Sequence, residues 1–302
     1  MWRFTPIYKS GRKVKQPNKQ RTTDKREAFI RQAERAVKMS FVDGVTKFKK
    51  RISQDKLAQM YEQRDYTAMD QHIGWDELEG HLGKTSQAID DIFDKSFDHA
   101  IKSLKADEVN PEYVNTVQTK GVQQKLKARQ KKYLVDLKDN REGIHQMIAE
   151  GHKLGRTPRQ VALSIKSQIA LSDTQRKAVA NFQAGLEQKG LSPSAIARRV
   201  ASKERRMLNE RANLIAITET RVAAAAAETV VWQKQAKDGL LDPSTVRVWA
   251  AEPDACEEIC KPMDGTTAPL DGKWTLPGGR QVTYPAESHP RCRCVVFLQD
   301  GD

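Results

Sequence analysis

Aromatic residues are scarce in this chain, cysteines number four in 302 residues, and no uncharged apolar run reaches 18 residues. Four cysteines in so long a chain exclude a disulfide-dense scaffold. The short apolar runs exclude a transmembrane helix. The opening MWRFTPIYKSGRKVKQ has no apolar stretch of signal-peptide type, so a secretory signal is not expected there. No P-loop, G-x-G-x-x-G, G-x-S-x-G or H-E-x-x-H pattern occurs, which removes the common nucleotide-binding, hydrolase and zincin signatures. A hydrophobic share of 38% against 30% charged residues favours slender helical layers over a thick α/β core.

The charge that is present is blocked along the chain. Residues 1–51 hold 16 basic and 4 acidic residues, a net of +12. Residues 52–110 are net −7, residues 111–220 net +11, and residues 221–302 net −3. Basic blocks suit phosphate backbones, which bind by counterion release without reading sequence, although Lys and Arg also serve simply to solvate helix faces. Few aromatics interleave with the basic residues from 120 to 211, which argues against base stacking on single strands.

Apolar spacing predicts mostly helix. Residues 1–23 read as a flexible basic arm, and Asp24 can cap the helix that follows. Phe29, Ala33, Val37, Phe41, Val45 and Phe48 then recur every three or four positions, as do Ile89, Ile92, Phe93, Phe97, Ile101 and Leu104. Asn110-Pro111 breaks the chain, and a basic helix is expected from about Val122 to Glu150, with Leu126, Tyr133, Leu137, Ile144 and Ile148 on one side. Thr157-Pro158-Arg159-Gln160 and Ser172-Asp173-Thr174-Gln175 are capping boxes, Gly190 is a C-cap, and Ser192-Pro193 opens a third helix. A further helix is expected from about Ser202 to Lys237. Its apolar stripe includes one carboxylate, Glu219, read as a structural acid that could pair with Arg211 or Arg221 or accept hydrogen bonds from a neighbouring backbone.

After Gly239 the pattern changes to β-type residues separated by Asp264-Gly265, Asp271-Gly272 and Gly278-Gly279 turns, with Trp249 and Trp274 as core candidates together with Trp232. The expected fold class is mainly α: a helical N-terminal body with a small C-terminal β-rich module stapled by zinc. The segments are a basic arm at 1–23, a helical region at 24–150, a second helical region at 151–238 and a cysteine-cluster module at 239–302.

All four cysteines lie in that module. Cys256 and Cys260 form Cys-x-x-x-Cys, and Cys292 and Cys294 form Cys-x-Cys just after His289-Pro290. Such pairs can close a tetrahedral Zn²⁺ site, form disulfides or stay reduced. Two close donor pairs in a module too small to bury a large core favour zinc, with His289 replacing one thiolate or orienting another ligand. Four thiolates leave no open position, so the expected role is structural. His72, His81, His99, His145 and His152 fall at spacings unsuited to ligation.

From Leu171 to Leu298 the sequence resembles the phage head-morphogenesis proteins, the Mu F-like minor head proteins. Four elements carry the likeness. They are Leu171-Ser172-Asp173-Thr174-Gln175 with Asn181 and Leu186, and the run Arg211-Ala212-Asn213-Leu214-Ile215-Ala216-Ile217-Thr218-Glu219-Thr220, similar to an R-A-x-x-I-A-x-T-E-T helix. Cys256 and Cys260 followed by Met263-Asp264-Gly265, and His289-Pro290-Arg291-Cys292-Arg293-Cys294, similar to an H-P-x-C-R-C ending, complete the set. The first cysteine pair is spaced by three residues where two are common, and Ile217 stands where Arg is frequent. The resemblance implies a non-enzymatic minor capsid protein of the virion, located in the head at the portal vertex and in the host cytoplasm during assembly. It would act in genome packaging or ejection. Its implied partners are the portal protein, a major capsid or scaffolding protein and packaged double-stranded DNA, with no membrane. The competing readings are a zinc-containing DNA-processing enzyme such as a nuclease, which would need a further histidine or asparagine base beside the metal, and a DNA-binding zinc protein.

Overall fold

A computed structural model describes residues 24–102 and 120–299. It is mainly helical, with a small strand region near the C-terminal end. The expected basic arm at 1–23, Leu104 and Asn110-Pro111 lie outside the described residues, as do the side chains of Asp24, His99, Tyr133 and Leu137.

In chain order the elements are α1 (Asp24–Arg51), α2 (Gln54–Glu62), α3 (Tyr66–Ile73), α4 (Trp75–Lys102), α5 (Lys120–Lys153), α6 (Pro158–Gln168), α7 (Asp173–Gln188) and α8 (Pro193–Lys237). Strand β1 (Val246–Ala250) follows, then the single helical turn α9 (Cys260–Met263) and strands β2 (Thr267–Ala268), β3 (Trp274–Thr275) and β4 (Gln281–Val282). A 3₁₀ turn at Pro285–Glu287 leads to β5 (Val295–Gln299).

The capping chemistry operates as the residue types require. Thr157 and Ser172 each accept the backbone N–H three residues on, and Gln160 and Gln175 close the boxes. Gly190 follows α7 with φ +67, a left-handed conformation that glycine adopts without strain. One difference from expectation concerns α8. The helix opened by Ser192-Pro193 and the one expected from Ser202 are a single helix of 45 residues. After Pro193 the segment contains neither glycine nor proline, so nothing interrupts its hydrogen-bond ladder.

The chain folds into two compact units, each assembled from separated segments. Among the described residues the first comprises 24–37, 87–102, 120–126 and 214–299; the second comprises Lys38–Ser86 and Lys127–Asn213. Helices α1, α4, α5 and α8 each contribute residues to both. These units are a different division of the chain from the sequence-order segments.

In the first unit the helical core joins Ile30, Ala33 and Val37 of α1, Ile92, Phe93 and Phe97 of α4, and the alanine-rich stretch around Ala223–Ala227 of α8. Alanine brings helix backbones close, which is why a run of five sits at this crossing. A second cluster is built on Trp232, Trp249, Trp274, Met263, Leu276, Val282, Val296 and Leu298, with Cys260, Cys292 and Cys294 among its buried members. β1 is the central strand of an antiparallel sheet in the order β2-β1-β5, pairing Trp249 with Val296 and Val248 with Phe297. β3 and β4 form a separate antiparallel pair, with Gly278 and Gly279 both at positive φ in the connecting turn.

This β-rich part has little regular structure, and Arg247 supplies much of its order. The side chain is fully buried. Its guanidinium donates to the carbonyls of Pro269, Gly272 and Thr283 and lies 4.6 Å from the centroid of the Trp274 ring. Three loop carbonyls are thereby tied to one cation, which fixes three separate turns to β1.

The second unit holds α2, α3, α6 and α7, with α2 packed on α6. Its core includes Phe48, Ile52, Leu57, Ile73, Leu82, Ile144, Ile165, Val179 and Leu208. Lys49 of α1 pairs with Glu204 of α8 at 2.9 Å, both largely out of solvent. The α1–α4 crossing is tight at Gly44, where an added Cβ would lie 2.4 Å from the backbone oxygen of His81. Gly83 of α4 has no atom within 4 Å of the same construction. Gly44→Ala is therefore expected to destabilise by about 1–3 kcal/mol through overpacking against rigid backbone. Gly83→Ala is expected to stabilise by up to about 1 kcal/mol through helix propensity. Thermal melts of the two variants, shifted in opposite directions, check both.

Candidate metal centre

The cysteine-bearing loops are positioned by short-range chemistry. β1 ends at Ala250. The Ala251 N–H donates to the Asp264 carboxylate at 2.9 Å, and the Gly265 N–H donates to the Trp249 carbonyl at 2.8 Å, so the Asp264-Gly265 turn is fastened to the strand. Between these points the chain turns through Cys256, whose Sγ accepts the Cys260 N–H at 3.3 Å where α9 begins. On the other side, Glu287 accepts the N–H groups of Thr283 and Tyr284, and Arg280 donates to the carbonyls of Glu287 and Ser288. This fixes the turn that delivers His289. Arg291 adopts a left-handed φ of 64° between His289 and the Cys292-x-Cys294 pair.

All five sequence-predicted donors come together. Cys256, Cys260 and His289 form one group and Cys260, Cys292 and Cys294 another, the donor atoms of each group lying within 4.8 Å of one another. Cys260 belongs to both. Cys260, Cys292 and Cys294 are buried, whereas Cys256 and His289 are half-buried. No disulfide joins any of them.

The donor chemistry fits a soft metal ion. Four thiolates at about 2.3 Å from a tetrahedral centre stand about 3.8 Å apart, and Cys260 Sγ lies 3.7 Å from Cys292 Sγ. His289 Nδ1 lies 2.9 Å from the Pro290 carbonyl, and its Nε2 lies 2.9 Å from Cys260 Sγ. A ring whose Nδ1–H donates to a carbonyl presents Nε2 as a lone pair, the state a metal requires. Burial, reinforced by Cys294, pushes the Cys260 thiol up to about 12. The hydrogen bond with Cys292, with burial and the neighbouring sulfur, raises Cys294 also. Thiols crowded and desolvated in this way hold their protons until a cation takes their place, since a coordinating thiol is deprotonated outright. The cluster can hold a metal ion.

Other histidines have separate work. His72 accepts the Ser53 N–H, His145 contacts Asp70 at 3.1 Å, and His152 lies 2.6 Å from the Tyr66 hydroxyl. Among the described residues no second histidine joins the cysteine cluster.

The sequence reading missed the network that seats the centre. Arg221 of α8 pairs with Glu34 of α1 at 3.1 Å and with Glu27, and its Nη1 donates to the Arg293 carbonyl at 3.0 Å. Arg293, set between Cys292 and Cys294, reaches the same two carboxylates at 3.4 Å. Arg221 is engaged by Glu27 and Glu34, and Arg211 donates to the Ala170 carbonyl. Glu219 itself is buried. The signal for the network was present: Glu27 and Glu34 are seven residues apart, and Glu34 interrupts the α1 apolar stripe.

Comparison of the chain with known protein families, curated proteins and solved structures found no match.

Burial raises the Glu27 pKa, but the charge of Arg221 and hydrogen bonds from Arg31 and Arg221 outweigh it and hold the carboxyl below its ordinary value. A depressed carboxylate stabilises the fold above its unfolded pKa, and that contribution is lost as pH falls through the folded value. Arg221→Met leaves two glutamates without this cation and is expected to destabilise by about 3–5 kcal/mol at pH 7. The gap from the unsubstituted protein is expected to narrow below about pH 4, where a protonated Glu27 no longer needs the arginine. Thermal melts of both proteins across that range measure it.

Proposed function

We propose that this chain is a minor head protein of a tailed bacteriophage, located at the portal vertex and acting in head morphogenesis and passage of the genome, with a structural Zn²⁺ in its cysteine centre. The carrying observation is the meeting, in one cluster, of the donors from the two motif ends that define the resemblance. Cys256 and Cys260 come from one end, and His289, Cys292 and Cys294 from the other. The long intervening segment closes on itself at that point, as a stapled module does.

Zinc is the ion that the donor set favours. Thiolates with one imidazole select soft or borderline cations, and a site surrounded by several protein donors keeps no position for substrate. That closure also weighs against a nuclease, which needs an open coordination position and a base beside it. The portal protein is the proposed principal partner, with a major capsid or scaffolding protein and packaged duplex DNA as further neighbours.

Zinc content measured by plasma mass spectrometry is expected near one ion per chain. Cys292→Ser is expected to lose it and to render the 239–302 region protease-sensitive, because structural zinc supplies folding free energy. A variant that retains both the ion and protease resistance would remove Cys292 from the ligand set. The function itself is tested by quantitative mass spectrometry of purified phage particles against infected-cell lysate. A few copies per particle, lost from particles that lack a portal, are expected. Absence from particles together with Mg²⁺-dependent nicking of plasmid DNA would replace this reading with the enzymatic one.

A further inference from the structure

In the second unit, the α8 residues exposed between Arg198 and Glu210 are Arg198, Arg199, Ser202, Arg205, Arg206, Asn209 and Glu210. The α-helical repeat places Arg198 beneath Arg205 and Arg199 beneath Arg206, each pair one heptad or about 10.5 Å apart along the axis. The two rows are separated by about 100° around the helix. Between them runs a seam of small side chains, Ala195, Ser202 and Asn209. The Asn209 amide is turned back to its own helix, donating to the Arg205 carbonyl at 2.9 Å.

The opposite face explains why this one is so unbalanced. Ile196, Val200 and Leu208 are buried there, and Glu204 turns the same way to pair with Lys49. The carboxylate most able to neutralise the arginines is thereby committed elsewhere. Glu210 is left at the far end of the stripe. None of the four arginines has a carboxylate partner among the described residues.

We infer that this double row of arginines is a binding surface for the sugar-phosphate backbones of duplex nucleic acid. Guanidinium forks suit phosphate oxygens better than ammonium groups do. Two cationic rows flanking a small, polar seam match two phosphate strands bordering a groove about 12 Å wide. An acidic helical partner would instead require apolar knobs along the seam to pack against, and the exposed stripe has none. The seam offers only two short exposed polar side chains, Ser202 and Asn209, so the arginine–phosphate contacts carry the affinity and binding is expected to be independent of sequence. The surface uses no residue of the cysteine centre, so duplex binding and residence in phage particles can fail separately.

The test uses the full chain and a 30-base-pair mixed-sequence duplex, followed by fluorescence anisotropy from about 50 to 200 mM salt. Changing Arg198, Arg199, Arg205 and Arg206 together to Gln is expected to weaken binding about 100-fold and to lower the slope of log K against log[salt] by about 3.6. Each pair alone, Arg198→Gln with Arg199→Gln or Arg205→Gln with Arg206→Gln, is expected to lower the slope by about 1.8. These pair variants also serve if the fourfold variant folds poorly by circular dichroism. A control with the same charge change elsewhere, at exposed Lys50, Lys84, Lys125 and Lys153, is expected to bind within a few-fold of the unsubstituted protein. Three results would overturn the inference: an arginine variant indistinguishable from the parent, a control that loses as much, or a parent that ignores duplex yet binds poly-glutamate through these arginines.

Discussion

A single buried guanidinium, that of Arg221, makes the helical part and the cysteine module of the first unit one object. It draws Glu27 and Glu34 of α1 to α8, and it holds the Arg293 carbonyl between two cysteines of the cluster. Arg293 returns to the same carboxylates, so two cations and two anions satisfy one another at the junction. Apolar packing alone would let the module slide on the helices. A shared set of directional charge-assisted bonds restricts it to one seating.

The module needs such help because its own secondary structure is sparse. Three of its five strands are two residues long, and sheet hydrogen bonds therefore leave most loop carbonyls unserved. Arg247 ties together three loop carbonyls, the edge-to-face contact of Trp249 and Trp274 fills the centre, and the cysteine cluster closes the remaining side. Each device acts where the backbone ladder stops. A covalently simple chain thus obtains, from one arginine, one aromatic pair and one donor cluster, the rigidity that a larger domain draws from core volume.

What could be read in the sequence was what repeats or what clusters. The α1 stripe from Ala33 to Phe48 and the α4 stripe from Ile89 to Ile101 are periodic, and their members are buried. The capping boxes at Thr157 and Ser172 are local, so residues three apart announce them. The five donors lie within 39 positions of one another in two tight groups, which made their meeting foreseeable. The Arg221–Glu34 bond spans 187 positions, and no local pattern links its ends. Arg247 looks like any outward strand residue until its carbonyl partners are known. The uninterrupted α8 was legible only as an absence of breakers, which the capping signal at Ser192 and the change of stripe near Ser202 obscured.

The segmental make-up of the units has a consequence for how the protein emerges from the ribosome. The second unit takes its last residues from before Leu214, whereas the first cannot be completed without residues 214–299. Synthesis therefore delivers a finishable unit while the first 14 residues of α1, carrying Glu27 and Glu34, still await Arg221 and Arg293. During that interval the face bearing Ile30, Ala33 and Val37 has no final cover. The nascent chain thus passes through a stage in which half a helix is committed and the other half is a binding site for whatever shields apolar surface first, until the alanine-rich stretch of α8 arrives to cover it.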